Sequence, residues 1–172
     1  NDCDGSKDED FKFGNLAMGA ACDGTGGCGA GTVVCAVGVT NVATCSTNPN
    51  GPASQVASET CDGIDNDCDD VTDEGFTYNG VSLGGGCSGV GACGSGTVQC
   101  STVDPSRATC STLSDGSNSQ ATAEICDTLD NNCDGTVNEG FTYEGAIIGA
   151  GCDGIGACGP GTVQCAGTAT VT

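Results

Sequence analysis

The sequence has no tryptophan and no histidine, one methionine, and only Lys7, Lys12 and Arg107 as basic residues against 23 acidic ones. Each shortage closes off a class of function. Without histidine there is no imidazole for general base work, and histidine-containing zinc sites are excluded. A net charge of −20 is the wrong sign for nucleic acid or an anionic membrane surface, so cations are the natural partners. No apolar run approaches the roughly 18 residues of a membrane-spanning helix, and membrane insertion is not expected. With no initiator methionine or signal segment, the chain reads as a mature or clipped product whose export signal lay outside it.

Aromatics are also scarce. Phe11, Phe13, Phe76, Tyr78, Phe141 and Tyr143 are the whole set, each placed just after an acidic phrase. A single large core is therefore excluded, and each segment must assemble a small one of its own. Helix formers are thin, while glycine reaches 31 residues, which favours short strands joined by tight turns.

What the chain has instead is cysteine, 16 residues of it. In a chain this poor in large apolar side chains, that density reads as a disulfide framework and implies an oxidising compartment. Zinc is the competing account, but neighbouring cysteines are separated by no fewer than five residues, in spacings such as C-x5-C, C-x6-C and C-x9-C, and never form a CxxC pair. The cysteines repeat every 65 residues: Cys3, Cys68 and Cys133; Cys22, Cys87 and Cys152; Cys28, Cys93 and Cys158; Cys35, Cys100 and Cys165; Cys45 and Cys110; Cys61 and Cys126. This is a tandem array. Its repeats are 1–60, short at the N-terminal side, 61–125, complete, and 126–172, short at the C-terminal side.

Within a repeat, "FTYNGVSL" alternates around Asn79-Gly80, a hairpin signal, with counterparts "FTYEGAII" and "FKFGNLAM". A Gly-rich crossing follows, then a strand pair "TVQCSTVDPSRATC" turning at Asp104-Pro105, then a polar Ser/Thr stretch. Gly89, Gly91 and Gly94 match GxGxxG but lack the parallel strand and helix of a nucleotide site, and are read as turn positions. The expected fold is all-β, a tandem array of small disulfide-stapled β-hairpin units with Asp-rich loops and little or no helix.

The acidic phrase "CDGIDNDCDDVTDEGF" puts six acids between Asp65 and Glu74. Asp65, Asp67 and Asp69 alternate as D-x-D-x-D, the spacing by which a turning backbone aims carboxylates at one hard cation, and Val71 offers a carbonyl with Asp73 and Glu74 beyond. In "CDTLDNNCDGTVNEGF" the equivalents are Asp130, Asn132, Asp134, Thr136, Asn138 and Glu139, with Gly135 at the turn. Exchange of Asp67 and Asp73 for asparagine keeps oxygen and discards charge, as ligands permit. The first repeat retains Asp2, Asp4, Asp8 and Glu9. The expected ion is calcium, one per loop, since softer metals such as copper prefer imidazole or thiolate donors. The competing account is a solvated acidic turn that binds nothing.

These phrases, with "GVGACGSGTVQC" and "GIGACGPGTVQC", resemble the Cys/Asp-rich metal-binding repeat known as the MopE motif. Such repeats occur in tandem in secreted and surface proteins of bacteria. The resemblance implies an extracellular or cell-surface location and metal binding through Asp65, Asp67, Asp69, Asp130, Asn132 and Asp134. Asp70 stands where the family's usual residue is glycine.

If all cysteines pair within the chain by one repeated scheme, Cys133, Cys152, Cys158 and Cys165 close among themselves, which leaves Cys45–Cys61 and Cys110–Cys126. Three arrangements remain open for each group of four, of which nearest-neighbour closure gives Cys68–Cys87 and Cys93–Cys100. With no histidine and its thiols tied up, the chain is expected not to be an enzyme. It reads as an extracellular structural element, a rod, stalk or filament subunit with head-to-tail self-assembly. The alternative is a surface adhesin presenting its Ser/Thr-rich loops, or a metal-binding module of a longer array.

Overall fold

Lys12–Phe13 (β1) folds back on Leu16–Ala17 (β2) across Gly14, whose φ of 59° is the left-handed conformation that tight turns demand. The computed structural model describes residues 8, 10–167 and 170–172, divided into two compact units, Asn1–Phe76 and Thr77–Thr172. In the first unit, Ala21–Asp23 (β3), Ala30–Cys35 (β4) and Ala43–Cys45 (β5) form an antiparallel sheet with β4 in the middle. The register sets Cys22 opposite Gly31 and Val33 opposite Cys45. Cys22, Val33 and Cys45 are buried and pack with Phe13, Met18, Ala20 and Ala43. Disulfide sulfur thus takes the place that large apolar side chains hold elsewhere.

The second unit repeats this plan. Thr77–Tyr78 (β6) and Val81–Ser82 (β7) form a hairpin in which Asn79 and Gly80 have φ of 51° and 79°, as its two-residue turn requires. Gly86–Ser88 (β8), Ser95–Cys100 (β9) and Ala108–Cys110 (β10) form the second sheet, with Cys87 opposite Gly96 and Val98 opposite Cys110. Cys93, Cys110, Leu113 and Cys133 form its core with Tyr78, Cys87 and Ala121. A third hairpin, Thr142–Tyr143 (β11) with Ala146–Ile147 (β12), precedes a smaller third sheet of Gly151–Cys152 (β13) and Gly161–Thr162 (β14). Cys165–Gly167 (β15) pairs with Thr170–Val171 (β16). The fold is all-β; the helical content of the described residues is one 3-10 turn, Gly26–Cys28, and none of their helices is long and apolar enough to cross a membrane.

The disulfides differ from those expected. Cys22–Cys45 and Cys87–Cys110 each join the outer strands of a sheet across its central strand, with Cα atoms 5.9 and 5.8 Å apart. Cys28–Cys68 and Cys93–Cys133 fasten each acidic phrase back to the Gly-rich turn before it. Cys126 bonds Cys165, and Cys61 and Cys100 are also oxidised. Cys45–Cys61, Cys110–Cys126, Cys68–Cys87 and Cys93–Cys100 therefore do not form, and Cys133 and Cys165 do not close within the third repeat. The premise of full pairing fails, because Cys35, Cys152 and Cys158 are free thiols. Proximity in an antiparallel sheet, rather than proximity in sequence, selects the partners.

The Ser/Thr stretches also depart from the picture of presented loops. Each begins as a buried arm that crosses back over its sheet: Thr47 and Thr112 are 3% and 1% exposed. Ser46 Oγ accepts the Thr32 amide and Ser111 Oγ the Thr97 amide, both at 3.1 Å. The Thr47 hydroxyl donates to the Gly29 carbonyl at 2.9 Å and Thr112 to Gly94 at 2.8 Å. The arm then delivers the acidic phrase to the turn, where the Gly27 amide donates to the Asp65 carbonyl at 2.7 Å and Ala92 to Asp130 at 2.8 Å. A methyl group on Gly26 or Gly91 would lie 2.4 or 2.2 Å from those carbonyl oxygens, so only glycine permits this approach.

Candidate metal sites

Each acidic phrase winds through a series of turns in which carboxylates accept the amides of residues just ahead. Asp62 accepts from Ile64 at 3.0 Å and Asp69 from Val71 at 2.8 Å. Asp65, 6% exposed, receives Asp69 on one oxygen at 3.1 Å and Asp70 on the other at 3.0 Å. Sixty-five residues on, Asp127 accepts from Leu129, Asp134 from Thr136, and Asp130 from Asp134 and Gly135. Left-handed backbone makes these turns possible. Cys68 and Cys133 have φ of 64° and 63°, Asp73 and Asn138 of 54° and 59°. Asp70, at 74°, takes the left-handed conformation that Gly135 takes at 98°. Asp70 therefore keeps the turn that Gly135 makes in the next phrase, at a steric cost.

One residue outside the expected ligand set organises each loop. Glu59 accepts the amides of Asn66 and Asp67 on one oxygen, at 2.6 and 2.8 Å, and that of Asp73 on the other at 3.0 Å. Glu124 does the same for Asn131, Asn132 and Asn138, at 2.5, 2.7 and 3.0 Å. The signal was present in the sequence, since both polar stretches end on this glutamate two residues before the phrase's first cysteine. Asp73 and Asn138 close the loop from the other side by accepting the amides of Asp62 and Asp127, at 2.9 and 2.8 Å. Val71 and Thr136 lie where the chain leaves the turn, their amides committed to Asp69 and Asp134.

The structure brings Asp65, Asp67 and Asp69 together, with carboxylate oxygens within 4.8 Å of one another, and groups Glu59, Asp67 and Glu74 to the same limit. Asp67 belongs to both groups. Its Oδ1 is buried without a hydrogen-bond partner, as are Oε2 of Glu74 and Oε2 of Glu139. In the third repeat, Asn132 faces Glu139, its amide donating to Oε1. Desolvation, then the charges of Asp69, Glu59 and Asp65, raise the Asp67 carboxyl above its ordinary range, against an opposing backbone hydrogen bond from Asp69. For Glu74 a backbone hydrogen bond lowers the value, but desolvation and the charges of Glu59, Asp67 and Asp69 outweigh it and the net shift is upward. Crowded carboxylates with buried, unpartnered oxygens suit a cation that supplies the missing positive charge. Of the candidates in the first repeat, Asp8 has φ of 57°, close to Asp73 and Asn138, while Asp2, Asp4 and Glu9 lie outside the described residues.

No curated protein and no solved structure matches the chain. A family model described as "Cu-binding MopE, putative metal-binding motif" matches residues 1–9, 54–74 and 114–139. The two longer matches contain Glu59 and Glu124 together with every acid of the loops they organise. The chain thus carries the MopE-type metal-binding motif in three segments.

Proposed function

We propose that each loop binds one calcium ion, and that the ion and the disulfides together replace a conventional core in an extracellular structural protein. The observation that carries this reading is the set of buried, unpartnered oxygens on Asp67, Glu74 and Glu139 in loops whose side-chain donors are all oxygen. Asp65, Asp67, Asp69 and Glu74 would hold the ion in one loop; Asp130, Asn132, Asp134 and Glu139 in the other. Carbonyls of Val71 and Thr136 would add to the shell, with Asp73, Asn138 and the organising glutamates fixing the loop around it. Calcium takes six to eight oxygen ligands in flexible geometry, which suits donors set on turns. The half-cystines fit an oxidising, extracellular environment. We read the protein as non-catalytic, working as a rod, stalk or filament subunit that assembles head to tail. The adhesin reading is less well supported, because the Ser/Thr arms begin buried.

Copper is the second reading, favoured by the description of the matching family. The loops offer it neither imidazole nor thiolate, the donors it prefers. Calorimetric titration of the disulfide-intact chain with calcium and with copper(II), joined to thermal unfolding with and without a chelator, tests both. Calcium binding with a rise in the unfolding temperature supports the proposal. Binding of copper(II) alone, or no shift with either, overturns it.

A further inference from the structure

The acidic phrases of the second and third repeats share a scaffold but not a charge. Glu59 to Glu74 carries eight acids and Glu124 to Glu139 five, because Asp67, Asp70 and Asp73 give way to Asn132, Gly135 and Asn138. The backbone hydrogen bonds hardly register the exchange. Asp65 and Asp130 each accept the amides of the residues four and five positions on, and Glu59 and Glu124 each gather three more.

The difference lies in which side chains can donate. In the second-repeat phrase the Asp67 carboxylate stands with those of Glu59 and Glu74, oxygens within 4.8 Å of one another, and Asp67 Oδ1 and Glu74 Oε2 are buried without a hydrogen-bond partner. Ionised, none of the three has a hydrogen to give, and like charges at that range repel unless a cation lies between them. In the third-repeat phrase Asn132, also half-buried, takes the place of Asp67. Its amide nitrogen donates to Glu139 Oε1, and its Oδ1 accepts the Asp134 amide at 3.0 Å. Asn138 makes a second bridge of this kind, accepting the Asp127 amide at 2.8 Å and donating to the Asp127 carbonyl at 2.6 Å. Its counterpart Asp73 only accepts, from the amides of Asp62 and Gly63. Two carboxamides thus supply, from within the loop, hydrogens that carboxylates lack.

We propose that the Asn132 carboxamide is a built-in stand-in for the cation, so that the third-repeat phrase is ordered without metal whereas the second-repeat phrase relies on metal for its order and fills first. The inference rests on the reading of both loops as calcium sites. Positions 67 and 132 then set the sequence of filling. A cation entering the third-repeat phrase must draw Glu139 away from Asn132 and meets three fewer negative charges, although Glu139 Oε2, buried and unpartnered, still offers it a ligand. Ligand charge is what tunes calcium affinity in loops of this kind. A chain so built keeps one phrase ordered at low calcium and orders the other as calcium rises.

Backbone hydrogen exchange of the disulfide-intact chain, read peptide by peptide by mass spectrometry, tests this. In chelator the amides of 124–139 are expected to exchange about tenfold more slowly than those of 59–74. Added calcium then protects 59–74 at a concentration about tenfold below that at which it acts on 124–139. Asn132→Asp should speed exchange of 124–139 in chelator and make its protection depend on calcium. Asp67→Asn should do the reverse to 59–74, slowing its exchange in chelator and raising the calcium needed to protect it; either variant alone suffices as a test. Equal exchange of the two phrases in chelator with protection at one calcium concentration, or substitutions that leave each phrase unmoved, would overturn the inference while the calcium reading stands. Calcium that protects neither phrase would overturn both.

Discussion

Glu124 Oε1 accepts the Asn132 amide at 2.7 Å, and sixty-five residues earlier Glu59 Oε1 accepts the Asp67 amide at 2.8 Å. Each glutamate gathers three amides that point inward from a loop otherwise rich in negative charge. Glu124→Ala leaves those amides without their acceptor and is expected to cost about 1–3 kcal/mol, with Glu124→Gln costing less because it keeps an oxygen. Denaturant unfolding of the disulfide-intact, chelator-treated protein measures it. An unchanged midpoint would mean the loop holds its shape without the glutamate.

Asp65 and Asp67 are two residues apart but do different work. Asp65 spends both oxygens on backbone amides, whereas Asp67 Oδ1 has no partner. Asp65→Ala should lower metal-free stability by about 1–2 kcal/mol. Asp67→Asn should leave metal-free stability unchanged or slightly raised, since it relieves repulsion, and should weaken metal binding by about tenfold or more, a loss of one charged ligand. Titration calorimetry and unfolding on the same two variants check the contrast; equal effects on both readouts would refute the division of labour.

Asp70 holds φ of 74° with a side chain that disfavours it, where Gly135 sits at 98°. Asp70→Gly is therefore expected to stabilise the protein by about 1 kcal/mol by relieving the left-handed strain. A rise in the unfolding temperature in chelator shows it, and a fall would place the Asp70 side chain in a supporting role.

Asp115 joins the arm of the second sheet to Arg107, 2.7 Å from its guanidinium, and accepts the Thr109 hydroxyl at 2.6 Å. Burial pushes its carboxyl up, but hydrogen bonds from Thr109 and Ser101 and the Arg107 charge prevail, and its pKa lies below the ordinary value. A depressed carboxylate contributes stability that is complete above the unfolded-state pKa, about 3.9, and fades as pH falls through the lower folded value. Asp115→Asn should thus be less stable than the parent at neutral pH by about 1–2 kcal/mol, with the gap closing below about pH 4. Unfolding of both proteins across that range measures it; a gap independent of pH would sink the assignment.

Much of this was open to a reader of the residues alone. The hairpin at Asn79-Gly80, the strand pair around Asp104-Pro105 and the crowding of carboxylates at Asp65, Asp67 and Asp69 follow from local chemistry and from a spacing that never slips. Glu59 and Glu124 escaped notice because they stand outside the acidic phrase, and only the folding back of the loop brings their carboxylates over its amides.

Composition and periodicity by themselves determined that the chain would be β-structured, cysteine-stapled, repetitive and suited to cations, because each of those properties depends on residue type and neighbours a few positions away. The tertiary structure decided which cysteines meet. A central strand sets Cys22 beside Cys45 and a returning arm sets Cys28 beside Cys68, and such distances depend on how strands and arms stack, which spacing along the chain does not encode.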